Sequence, residues 1–114
     1  MNKLLLLITT APNQLLAEKI SKELIERKLA ACISIKEIKS IYRWQGNIEE
    51  NKEFELSIKS IPENLNELTI ILNEMITYEV PEIIYKIFDS ENSYFQWIKA
   101  VSYTHLTLPT SYPV

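Results

Sequence analysis

ACISIKEIKSIYRWQGNIEENKEFELSIKS, residues 31–60, is the stretch on which the fold turns. Ile33, Ile35, Ile38, Ile41, Tyr42 and Trp44 precede Gln45-Gly46-Asn47, and Phe54, Leu56 and Ile58 follow it. β-Branched and aromatic residues of this kind favour strands. A glycine-bearing turn between two such runs predicts a β-hairpin. The return run alternates, with Phe54, Leu56 and Ile58 on one face and Glu53, Glu55, Ser57 and Lys59 on the other. A hairpin reaching from about residue 33 to 59 is longer than two ordinary helices can cover. Its outer half, with Tyr42 and Trp44 near the tip, therefore calls for another chain, and a homo-oligomer is expected.

Working outward, residues 3–9 form a nearly continuous apolar run, predicted to be a strand buried on both faces. Asn13 is placed to cap a helix carrying Leu16, Ala17, Ile20, Leu24 and Ile25, which should end near Lys28. Lys22, Arg27 and Lys28 fall late in it, where the helix dipole favours cations. Beyond the hairpin, Ser60-Ile61-Pro62-Glu63 has capping-box spacing, and Leu65, Leu68, Leu72 and Met75 follow at helical steps. Residues 78–88 read as a fourth strand interrupted at Pro81, and Ser90 as the cap of a short helix with Tyr94, Trp97 and Ile98. The order is β-α-β-β-α-β plus a short helix. That is an α+β, ferredoxin-like βαββαβ sandwich: a four-stranded antiparallel sheet, two helices on one face, and a long β2–β3 hairpin.

Composition narrows the function. The 114 residues hold one cysteine, one histidine and one glycine, with a net charge of -3. No internal disulfide, four-ligand zinc site or glycine-rich phosphate loop can be built from that set. The acidic balance argues against nucleic acid. The apolar opening at residues 4–8 is too short to span a membrane and lacks a signal peptide's flanks, so the cytoplasm is the expected compartment and no membrane is expected as partner. Charges stop after Lys99. VSYTHLTLPT, residues 101–110, resembles the translation of an adaptor used to prepare sequencing libraries. Residues 1–100 are therefore expected to be the domain and 101–114 a non-native tail, which takes His105 with it.

Candidate chemistry is sparse. Cys32, between Ala31 and Ile33, reads as buried packing rather than a reactive thiol. Glu53 and Glu55 read as surface charges sharing a strand face with Lys59. Glu79 and Glu82 flank Val80-Pro81, where a break in pairing could aim a carboxylate into a cleft. With no nucleophile–base pair and no cofactor fingerprint, an enzyme is not expected.

Several motifs in one order resemble a known family: ITTAPN (residues 8–13), ERKLAACISI (26–35), SIYRWQGNI (40–48), SIKS (57–60), YEVPEII (78–84) and YFQWI (94–98). They resemble the CutA divalent-cation tolerance family over residues 1–100. The resemblance implies a ferredoxin-like subunit of a cytoplasmic homotrimer, related to PII-like proteins, without catalytic activity and involved in tolerance to copper and other divalent metals. It implies ligand clefts between subunits, with Cys32, Trp44, Lys59, Tyr78 and Glu82 as candidate residues. The positions that hold copper in some members are Thr9, Met75 and Ile76 here, so no metal ligand is assigned. Copper or another divalent metal remains the only cofactor-like candidate. The alternative expectation is a module for a small anionic metabolite, held by Lys59 and the backbone around Pro81.

Overall fold

Nine residues of predominantly apolar sequence form the first strand, β1 (Lys3–Ala11), and Pro12-Asn13 turns the chain into α1 (Gln14–Glu26). The Asn13 side chain accepts from the Leu16 amide at 2.8 Å, as its position predicts. α1 stops two residues short of Lys28. Lys28 itself takes φ 58°, and the Leu29 amide donates back to the Leu24 carbonyl, closing the helix in the left-handed turn that glycine usually fills. The computed structural model describes residues 2–102.

The hairpin follows as expected, β2 (Cys32–Trp44) paired with β3 (Asn47–Ser60). Gln45 and Gly46 both have positive φ, 52° and 83°, the signature of a tight two-residue turn between twisted strands. β3 then bends through a single 3-10 turn (Pro62–Asn64) into α2 (Leu65–Met75). The capping box is not made. Ser60 donates to the Leu29 carbonyl at 2.6 Å, so its hydroxyl is spent on the preceding loop.

β4 (Ile83–Asp89) is shorter than the sequence predicts. Residues 76–82 lie outside it, because Pro81 has no N–H for the ladder. The last helix, α3 (Asn92–Ser102), is capped by Glu91, which accepts from the Tyr94 amide, while Ser90 turns its hydroxyl to the Glu91 carbonyl. α3 also runs two residues past Ala100, so the expected domain boundary falls inside a helix. Asn64 explains the extension, since its buried side-chain amide donates to the Ser102 carbonyl at 2.7 Å. Residues 103–114, His105 among them, lie outside the described residues.

The sheet is antiparallel, in the order β2-β3-β1-β4. Leu5, Leu7, Leu56 and Ile58 point to one side, where Ala17, Ile20 and Leu24 of α1 and Leu68, Ile71 and Leu72 of α2 bury them. On the opposite side α3 covers one end only, Ile98 packing on Leu4 and Ile61. Leu6 and Ile8 stay half-buried there, so β1 is not sealed on both faces along its length. The rest of that second face is open. The outer hairpin extends past β1 as a two-stranded arm, giving the molecule extents of 55 × 29 × 22 Å.

Candidate functional site

Register decides which candidates meet. Cys32 pairs with Lys59, Lys59 with Leu6, and Leu6 with Lys86, so these four side chains form one row across the open face. Cys32 is half-buried in that row rather than packed in the core, which corrects the packing expectation. Alternation along β2 sends Ile33 to the helix side and Cys32 to the open side.

Tyr78 and Glu82 stand elsewhere. The chain between α2 and β4 crosses the end of β1, where the four-stranded sheet narrows into the arm. There the Tyr78 hydroxyl donates to the Glu53 carboxylate at 2.5 Å. Burial, followed by this bond and the Glu53 charge, raises the Tyr78 phenol far above its usual range. Glu82 is raised by burial first and then by the charges of Glu53 and Glu55. Glu55 is partly offset by Lys36 at 3.9 Å. Glu53, read from spacing as a surface charge, is thus the centre of a small acidic group. Only the crossing loop reveals it. Glu79 is exposed and adds nothing to the group.

Trp44 is in a third place, paired with Asn47 beside the arm's turn and 39% exposed. The Ile38–Glu53 pair lies six residues down the arm from it, and the Cys32–Lys59 pair six further. At strand rise each step is roughly 20 Å. The five residues implied by family likeness therefore do not assemble within one chain. Lys59 and Pro81 are likewise separated, since Lys86, not the Pro81 segment, shares the Lys59 row. A single anion site made from those two is excluded in one subunit.

The copper positions fit no metal. Thr9 is fully buried with an unpartnered hydroxyl, Ile76 is buried, and Met75 packs against the helix-side core. One hydroxyl, one thioether and one aliphatic chain are not a ligand set for a divalent ion. Met75, at the end of α2, packs on the helix side of the sheet while Cys32 faces the open side, so their sulfurs serve no common ion in one chain. Among the described residues no group of three His, Cys, Asp or Glu side chains could hold a metal. No helix of the described residues is long and apolar enough to cross a membrane.

Comparison with known proteins places this arrangement. The family of CutA1 divalent ion tolerance proteins matches residues 5–101. The chain belongs to that family. It is 37% identical over 95 residues to human Protein CutA, covering 82% of this chain and 53% of the human protein. It is 33% identical over 96 residues to the divalent-cation tolerance protein CutA of Pyrococcus horikoshii, covering 83% and 94%. The chain thus spans about half the length of the human relative and nearly all of the archaeal one. CutA1 from the psychrotrophic bacterium Shewanella sp. SIB1 superposes with a TM-score of 0.84 at 37% identity, over 89% of this chain and 96% of that one. A CutA from Archaeoglobus fulgidus, described as a periplasmic divalent cation tolerance protein, gives 0.83 at 34% identity, over 87% and 98%. The ferredoxin-like α+β reading and the family resemblance are both borne out, and the family name speaks of tolerance to divalent ions rather than of a reaction.

Proposed function

We propose that the chain acts without catalysis in the cellular response to divalent metal ions, copper among them, as a cytoplasmic homotrimer. Ions or small ligands would bind in clefts where subunits meet. One observation supports this reading: Cys32 with Lys59, Tyr78 with Glu82, and Trp44 occupy three separated stations on one chain, so a cleft that joins them would draw on neighbouring copies. The surfaces suited to such contact are apolar and exposed. They include Ile41 and Ile48 on the arm, Ile84 and Phe88 on the open face, and Trp97 on α3. A lone half-buried thiol suits a reducing compartment.

The poor metal set at Thr9, Met75 and Ile76 moves any ion site to a junction between copies, where sulfur and carboxylate groups from two chains can combine. The full chain should sediment at three times its monomer mass. It should also bind Cu(I), Cu(II) or Zn(II) at micromolar concentration in a calorimetric titration, and lose that binding together with the trimer. A stable trimer that takes up none of the three ions would remove direct ion binding and leave only an indirect part in tolerance.

A further inference from the structure

One side-chain hydrogen bond joins two parts of the molecule that no strand pairing connects. Ala11, the last residue of β1, pairs with Phe54, so Glu53 is the first residue of β3 past the four-stranded sheet and marks the root of the arm. The Tyr78 hydroxyl donates to the Glu53 carboxylate at 2.5 Å, across 25 positions of sequence. Among the described residues it is the only side-chain hydrogen bond made by residues 76–82. The Tyr78 ring packs on the helix-side core, while Thr77, Glu79 and Val80 around it are exposed. The segment is thus pinned at Tyr78, and Tyr78 is tied to the arm.

Charge works against this tie. Ile83 pairs with Thr9, which brings Glu82 to the level of Thr10, and Thr10 pairs with Glu55. Glu82 therefore adjoins the side of β3 that carries Glu53 and Glu55, and both of their charges act on it. From β2, Lys36 reaches Glu55 alone, at 3.9 Å and with its side chain 72% exposed, where an ion pair offsets little. Tyr42, which faces Tyr78 from β2, accepts from Asn51 at 2.6 Å and supplies no cation. Glu79 is exposed and stands apart. Among the described residues neither Glu53 nor Glu82 has a cationic partner.

We propose that Tyr78 and Glu53 form a latch between the α2–β4 segment and the arm, and that the charge on Glu82 sets how firmly it closes. With Glu82 ionised, repulsion from Glu53 and Glu55 pushes the segment away from β3, against a single hydrogen bond. With Glu82 protonated the repulsion lapses, and its carboxyl O–H becomes a donor toward the neighbouring carboxylates. The closed form holds the Glu82 proton to higher pH than the open form does, so falling pH favours closure. Every group in the latch belongs to one chain, so it needs neither a bound ion nor contact between copies. Because Glu53 stands at the root of the arm, a change of angle there is carried out to Trp44, roughly 20 Å along the strand.

Hydrogen exchange of the full chain at about pH 7.5 and about pH 5, corrected for the intrinsic effect of pH on exchange, tests the latch. Residues 76–82 and residues 48–53 of β3 should gain protection together, severalfold, at the lower pH. Glu82→Gln should show the low-pH protection at both values. Glu53→Gln, which keeps an acceptor for Tyr78 and removes the charge, should do the same. Tyr78→Phe should lose protection in both segments and retain no dependence on pH. Loss confined to residues 76–82 in Tyr78→Phe would overturn the proposal, because the arm would then be uncoupled from the segment. So would protection in the parent chain that ignores pH and is unchanged by Glu82→Gln, because a cation from solution or from a neighbouring copy would then already offset Glu82.

Discussion

Three single residues carry more than their sequence context suggests. Lys28 sits at φ 58°, where a side chain is strained and glycine is not. Lys28→Gly should therefore stabilise the chain by about 0.5–1 kcal/mol, read as a higher denaturation midpoint at unchanged slope. Asn64 donates to Leu29, Ser60 and Ser102 from a buried position. Asn64→Ala leaves the Ser102 carbonyl unpaired, so urea denaturation should show a loss of about 1–3 kcal/mol. Glu82 holds its proton to higher pH when folded than its ordinary value of 4.5, because of burial and then Glu53 and Glu55. The folded chain then binds more protons than the unfolded one between those two values. This contribution to stability grows as pH falls through the raised value and is absent at neutral pH, where the charge is a cost. Glu82→Gln should raise the neutral-pH melting temperature by about 1–3 °C and flatten that part of the pH profile. A lower melting temperature in the variant would show that the carboxylate is matched by a cation instead.

At the scale of elements, α3 and the arm make opposite demands. α3 has its last buried residue at Ser102, whose carbonyl is tied to Asn64. A chain ending at Ala100 loses that tie and the final turn, and Ile98 should then hold Leu4 and Ile61 less well. Its melting temperature should fall, by about 4–8 °C for each kcal/mol lost. An unchanged melt would show that α3 is anchored by Ile98 and Phe95 alone. The arm contributes little to the subunit's own core, since Ile41 and Ile48 near its end are largely exposed. If the proposed trimer forms through the arm, Ile41→Ser with Ile48→Ser should leave the far-ultraviolet spectrum intact and shift light scattering from the trimer mass to that of the monomer.

For the whole molecule, much was readable in the residue order, and the reasons differ by feature. Strand alternation and helical spacing are local periodicities, so Phe54, Leu56 and Ile58 announced their shared face, and Leu16, Ile20 and Leu24 theirs. The hairpin turn was equally plain, because Gly46 is the chain's only glycine. The failures came where a side chain had two possible partners. Ser60 could cap the next helix or bond the Leu29 carbonyl, and it does the latter. Cys32 alternates with Ile33 and Ile35 and so turns from the helix side, but its sequence neighbours do not say how far the rest of that face covers it. Glu53 met Tyr78 only because the segment after α2 crosses the end of β1. The amino-acid order determined the elements, their succession and the family. The tertiary structure decided that Lys59 stands beside Leu6 and Lys86 and that Trp44 is far from both. The physical reason is that strand register is set by pairing between segments distant along the chain. One hydrogen-bonded row brings together side chains that no local pattern links.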